Sequence, residues 1–318
     1  MMNTHNHPTD DLTHVIAGLS PQRRRDVAVA RAVAAEAAAL LIGHTGHHAV
    51  CHKPDGSIVT AADIASDRLI AARLRAACPG DTILSEESTA HFEGGRTWVI
   101  DPLDGTTNFT AGLPIWGVTL ALLEDGVPTV GVSVFPRLGL DFTAIAGHGA
   151  FAGSSRLGPH RADDPAAGQP RTGQPASSDR ARGHTPSGRL GIGPDDLIAQ
   201  CSRTAARWQL HVPATRRTLG STAFHLALVA AGTCRASVTM DAGIWDVAAG
   251  WLLVTETGGT VSDDAGLSPW PLAAGDWSQR RISVIAAADA ASHGAVRHAI
   301  TPVEDGRSGD DGGVRTAA

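Results

Sequence analysis

Tyrosine is absent from this chain and Lys53 is its only lysine, while arginine is abundant. Set against that arginine, the deficits read as compositional bias and point to no function. The four cysteines, Cys51, Cys78, Cys201 and Cys234, are scattered without a C-x-x-C pair. That excludes the disulfide framework of short secreted chains and predicts reduced thiols. No run of about 18 apolar residues occurs, so no membrane span is expected. The N-terminal MMNTHNHPTDDLTH lacks the apolar core of a signal peptide, so a cytoplasmic protein is expected. Positive charge clusters only at Arg23-Arg24-Arg25, in a chain of formal net charge −6. Nucleic acid is therefore not an expected partner, because that binding rests on dense positive charge. A small anionic substrate would need a local source of positive charge, and bound metal is one. What is present, 42% apolar and 18% charged residues over 318 positions, fits a globular protein with a substantial core.

The chain divides by texture. Residues 1–19 read as a polar, loosely held arm. Ser20-Pro21 supplies an N-cap and a proline at the first helical position, and the Ala-rich stretch from Arg23 to Ile42 reads as a helix. Thr60 opens a second helix through about Ala77, with Ile64, Leu69, Ile70 and Leu74 at helical spacing. Short strands follow at Thr82–Ser85, Trp98–Ile100, Val118–Leu123, Thr129–Phe135 and Asp141–Ala146, suggesting an antiparallel meander. Residues 153–190, rich in Gly, Pro, Ser, Arg and Asp, read as a disordered insertion that cannot bury enough to offset ordering entropy. Beyond it, helices are expected at Asp195–Trp208, Ser221–Ala231 and Asp246–Thr257, and a strand at Arg281–Ala287. Residues 303–318 form a polar tail. The expected units are thus an N-terminal α+β half at 20–152 and a C-terminal α/β half at 191–302. Gly191-Ile192-Gly193 lacks the glycine-led helix of a dinucleotide site.

The sharpest local feature runs Trp98-Val99-Ile100-Asp101-Pro102-Leu103-Asp104-Gly105-Thr106-Thr107-Asn108-Phe109. A strand delivers Asp101, Pro102 forces a turn, and Gly105 permits the geometry that brings both carboxylates together. Two carboxylates and the Leu103 carbonyl are hard oxygen ligands of the kind magnesium takes. Gly105, Thr106 and Thr107 offer N–H groups to a phosphate. An ordinary Asp-rich β-turn is the plain alternative for the Asp-Gly dipeptide alone. A second acidic element, Ser85-Glu86-Glu87-Ser88, closes a strand, where solvated glutamates are equally at home. A third, Gly243-Ile244-Trp245-Asp246-Val247-Ala248-Ala249-Gly250, puts Asp246 at an apolar helix start, and a carboxylate buried there needs a cation. No Cys, Ser or His nucleophile constellation is present. His44, His47, His48 and His52 fall in a glycine-broken loop and read as a polar connector rather than a transition-metal site.

Together these elements resemble the inositol monophosphatase family of magnesium-dependent, lithium-sensitive phosphatases. The resemblance runs from about Val27 to Ala287 outside the insertion, and is carried by Trp98–Phe109 and by WDVAAGWLLVTETGG at Trp245–Gly259. It implies an α+β layered fold, the alternating αβαβα sandwich of the inositol monophosphatase and fructose-1,6-bisphosphatase type. It implies that Glu86, Asp101 and the Leu103 carbonyl hold a first magnesium beside Thr106, and that Asp101, Asp104 and Asp246 hold a second. Asp63 matches the aspartate near a third ion, although Thr60-x-x-Asp63 is also a capping box. Glu86, Thr106 and Asp63 would generate and aim a water for in-line attack on a phosphomonoester, with two ions activating that water and neutralising the departing oxygen. The substrate would meet Asp104, Gly105, Thr106, Gly220, Ser221, Thr222 and Asp246. Lys53 matches a lysine near the catalytic mouth, or is simply solvated. A homodimer acting on a small phosphorylated metabolite is implied.

Inositol-preferring members carry a glutamate seven residues before the Trp-Asp aspartate. Thr239 stands there, with Asp241 two positions on. Inositol 1-phosphate is the first substrate to expect, with histidinol phosphate, adenosine 3′,5′-bisphosphate and fructose 1,6-bisphosphate as alternatives, because the fold alone cannot choose. A non-catalytic phosphate-ligand regulator of the same fold is the rival from another class.

Overall fold

The computed structural model describes residues 11–45, 50–52, 58–88, 91–158, 191–278 and 280–303. Five layers alternate helix and sheet. The helices Pro21–His44 and Ala61–Ala77 cover one face of a seven-stranded sheet, and Thr222–Ala230 and Ile244–Glu256 cover the other. This second helix pair is itself backed by a five-stranded sheet, and Ala290–Ala299 and Ser202–Arg207 lie beyond it. The layered α/β sandwich expected of the chain is the one it adopts.

The large sheet runs Ser155–Arg156, Gly149–Ala152, Leu140–Ile145, Val127–Phe135, Gly117–Glu124, Arg96–Asp104, Thr82–Ser85. Every neighbour pair is antiparallel except the last, which is parallel. Strand periodicity explains how one sheet serves two cores. Along Gly117–Glu124, Val118, Leu120 and Leu122 pack toward the first helix pair, while Ala121 and Leu123 pack toward the second. The smaller sheet runs Thr215–Thr218, Leu197–Gln200, Ala236–Ala242, Ile282–Ala287, Thr260–Ser262.

Helix starts follow their caps. Ser20 Oγ accepts from the Arg23 N–H at 3.2 Å with Pro21 behind it, and Thr60 and Asp63 form a reciprocal capping box. Pro21–His44 is long and apolar enough to cross a membrane by length and composition, although Arg31 and Glu36 interrupt its apolar run. Its Val27, Ala30, Ala34, Ala37 and Leu41 are fully buried within this fold.

Several expectations change. Leu12–Gly18, within the supposed arm, is a helix whose Leu12 and following Leu19 are buried; residues 1–10 lie outside the described residues. Asp195–Trp208 is not one helix but a strand, Leu197–Gln200, followed by the short helix Ser202–Arg207. The strand is pinned between two parallel neighbours, and this tertiary pairing overrides local pattern. Pro102 does not end its strand. The ladder pairs Asp101 with Thr119 and then Asp104 with Gly117, so one extra residue bulges out around Pro102. Of the insertion, Ser155–Arg156 joins the sheet edge, and 159–190 lie outside the described residues, as do Lys53, His47, His48 and residues 304–318.

Candidate metal centre

Two parallel strand ends, one bulge and two helix starts meet at one point. Thr82–Ser85 pairs in register with Thr97–Ile100, so Glu86 and Asp101 leave the same edge side by side. The Ala61–Ala77 helix pins both ends from adjacent residues. Ser66 Oγ donates to the Pro102 carbonyl at 2.8 Å, and buried Asp67 accepts from Ser85 Oγ at 2.5 Å. Asp246, in the first turn of Ile244–Glu256, accepts the Gly243 N–H at 2.8 Å.

Glu86, Asp101 and Asp246 bring one carboxylate oxygen each within 4.8 Å of one another. Asp104 stands outside this tight set but lines the same cavity of about 390 Å3, with Leu103, Gly105, Thr106 and Gly220. Its oxygens are held by the start of the Thr222–Ala230 helix. Oδ2 accepts from Ser221 Oγ and from the Ala223 N–H at 2.9 Å, and Oδ1 from the Thr222 N–H at 3.2 Å. Ser221 thus both caps the helix, accepting from the Phe224 N–H at 3.1 Å, and donates to Asp104.

Gly105 carries the turn after Asp104. Its φ of 89° lies in the left-handed region, and an added Cβ would sit 2.9 Å from the Ile115 carbonyl. Thr106 follows, and its Oγ1 lies 3.0 Å from Asp63 Oδ1 and 3.1 Å from the Leu103 carbonyl. Asp63 Oδ2 accepts from the Thr60 N–H at 2.8 Å. Asp63 therefore caps its helix with one oxygen and meets Thr106 with the other.

The electrostatics are those of buried carboxylates crowded together. Burial, then repulsion from Glu86, Asp104 and Asp246, pushes Asp101 well above the usual carboxylate range. Burial and the charges of Glu86 and Asp104 do the same to Asp246, which Arg281 partly offsets. Burial lifts Asp104 to about 6 against the hydrogen bonds from Ser221, Ala223 and Thr222. Burial also raises Asp63 despite its Thr60 and Thr106 partners. Converging, buried acids are costly to ionise together. A hard divalent cation matches that donor set, three carboxylates with the Leu103 carbonyl nearby.

Sequence reasoning placed the acids but passed over Ser66, Asp67, Arg203 and Arg281. Arg203 lines this cavity, and Arg281 lines an adjoining one of about 220 Å3. No local motif marks any of the four. His44 Nδ1 lies 2.9 Å from the Leu40 carbonyl within its own helix, and the four cysteines are free thiols.

Known proteins share this arrangement of elements. A sequence profile of the inositol monophosphatase family matches residues 22–301. A probable inositol 1-monophosphatase, ImpA, of Mycobacterium tuberculosis is 35% identical over 74% of this chain and 82% of its own length. A histidinol-phosphatase of Streptomyces coelicolor is 34% identical over 65% of this chain and 74% of its own. The solved structure of a Thermotoga maritima IMPase superposes with a TM-score of 0.62 at 27% identity, over 83% of this chain and 92% of that one.

Proposed function

Because the chain belongs to the inositol monophosphatase family and is a phosphoric monoester hydrolase, we propose that it cleaves a small phosphomonoester over the acidic cluster of Glu86, Asp101 and Asp246. The single observation that carries this placement is the convergence of those three side chains, from three separate elements, within 4.8 Å. Phosphatases of this family are metal-dependent, generally on Mg2+. Glu86, Asp101, the Leu103 carbonyl, Asp104 and Asp246 would hold the ions, two or three of them. Bound there, magnesium supplies an acidified water and charge neutralisation at the leaving oxygen.

The chain's own residues do the rest. Thr106, tied to Asp63 and to the Leu103 carbonyl, orients the water and passes its proton toward Asp63, whose raised proton affinity suits a base. Gly105, Thr106 and the Gly220–Thr222 segment border the phosphate. Asp104, fixed on three donors, keeps its geometry as the ester breaks. Attack is direct and in line.

A relative named as a probable inositol 1-monophosphatase supports inositol 1-phosphate, and another is named a histidinol-phosphatase. Thr239 supplies no carboxylate to a ring hydroxyl, which weighs against inositol. Phosphate release from a panel of small phosphomonoesters, with and without magnesium, tests the reading. Metal-dependent turnover of at least one supports it; none across the panel would sink it.

A further inference from the structure

Asp104 is seated on three donors from residues 221–223, so whatever fixes that segment fixes the carboxylate. The chain enters the segment from Leu219, just past the end of the edge strand Thr215–Thr218. Side chains hold both polar groups of Leu219. Its carbonyl accepts from Asn108 Nδ2 at 2.7 Å, and its N–H donates to His225 Nε2 at 3.2 Å.

Asn108 grips both flanks of Asp104. Its amide nitrogen carries two hydrogens, and the second goes to the Ile115 carbonyl at 2.7 Å. That carbonyl is the one packed against Gly105, in the turn that follows Asp104. One buried amide therefore ties the turn that carries Asp104 to the segment that receives it, across 111 residues of chain. The fit is close. Gly220 sits at a φ of 77°, and a Cβ there would come to 2.7 Å from Asn108 Nδ2.

His225 completes the grip at a cost to itself. It is fully buried on the helix Thr222–Ala230. Because Nε2 accepts, the ring hydrogen lies on Nδ1, where no acceptor meets it. Buried donors are almost always paired, and an orphan calls for a reason. Packing gives none, since leucine would fill the space without stranding a donor on the ring. What the imidazole provides there, and an apolar side chain cannot, is the acceptor offered to Leu219.

We propose that Asn108 and His225 are positioning residues, clamping the Leu219–Gly220 peptide so that Ser221, Thr222 and Ala223 hold Asp104 in the orientation that turnover requires. Neither touches the reacting atoms. With the clamp open, the three donors shift off Asp104 and its carboxylate is free to turn out of the cluster. The consequence for turnover rests on the phosphatase reading above, whereas the consequence for magnesium binding needs only the acidic cluster.

The test compares His225→Leu, His225→Gln and Asn108→Leu by kcat and KM, by calorimetric titration of the substrate-free protein with magnesium, and by thermal unfolding. His225→Leu removes the orphaned Nδ1 hydrogen but strands the Leu219 N–H, so its thermal midpoint stays within a few degrees of wild type. Its kcat falls by about tenfold with KM little changed, and its magnesium affinity weakens by a similar factor, the lower end of what residues behind a metal ligand contribute. His225→Gln puts an amide oxygen near the place of Nε2 and retains most of both. Asn108→Leu, which matches the shape of the amide, lowers both as well. The double variant loses little beyond the larger single loss, because the two side chains act through one peptide. The two His225 variants decide the matter should Asn108→Leu fail to fold. Equal losses in His225→Leu and His225→Gln, or wild-type kcat and magnesium affinity in His225→Leu, overturn the clamp and leave the phosphatase reading standing. Absence of turnover by the wild type on any phosphomonoester overturns that reading alone, and the magnesium titrations then decide the clamp.

Discussion

Asp104 is the residue whose environment says most about its chemistry. It accepts three hydrogen bonds at a helix start, yet burial still lifts it to about 6. Asp104→Asn keeps the shape, removes a charge and presents an amide where donors already point. We expect kcat/KM to fall by about a hundredfold or more, with a thermal midpoint within a few degrees of wild type. Wild-type turnover in this variant would remove Asp104 from the proposed site. His225 makes a second residue-scale case. It is fully buried, accepts the Leu219 N–H at 3.2 Å through Nε2, and its Nδ1 has no partner. Burial lowers it to about 4 from 6.5. The folded value lies below the unfolded one, so the unfolded chain binds the extra proton. This contribution to stability is present above 6.5 and is lost as pH falls toward 4. Between pH 7 and 4.5 the wild type should lose about 2 kcal/mol more than His225→Gln in denaturant titrations. Parallel losses in the two proteins would refute the assignment.

At the scale of elements, Arg96 binds the Pro21–His44 helix to the large sheet. It reaches Asp26 at 2.8 Å, Asp81 at 2.9 Å and Glu124 at 2.5 Å, and Asp26 is fully buried. Arg96→Ala strands that carboxylate, whose other side-chain contact is Gln22. A stability loss of about 3–5 kcal/mol is expected from equilibrium unfolding, the cost of an uncompensated buried charge. A change under about 1 kcal/mol would mean that solvent reaches Asp26 freely. The bulge at Pro102 belongs to this scale too. Local chemistry announced an interruption after Asp101, because proline cannot donate to a ladder. The strand's resumption at Asp104 depends on Gly117 across the sheet, which nothing near Pro102 encodes. Helix starts at Ser20, Thr60 and Ser221 were legible because caps are local. Leu197–Gln200 was not, because its strand character comes from partners at 215–218 and 236–238.

For the whole molecule, the separation of the acidic residues along the chain would make bound metal a crosslink between distant segments of the fold. Magnesium in large excess over its dissociation constant should raise the thermal midpoint by a few degrees, since a ligand at about a hundred times that constant adds about 2.7 kcal/mol. Asp101→Asn should abolish most of the gain. The gain should shrink as pH falls through about 6, the value to which Asp104 is pushed, because the ligands must shed protons to bind. A midpoint indifferent to magnesium at pH 8 would contradict the proposed site.

Sequence alone determined the acids, their caps, the meander and the family resemblance, because each rests on short-range rules: a turn needs glycine, a helix start needs an acceptor, a hard cation needs oxygen. Only the tertiary structure decided that Glu86, Asp101 and Asp246 converge while Asp104 stands apart on its helix start. It alone brought Arg203 and Arg281 to one wall and set Asp67 behind the strand carrying Glu86. Those placements follow from sheet pairing and layer packing between segments up to two hundred residues apart, and side-chain identity carries no local trace of a distance set that way.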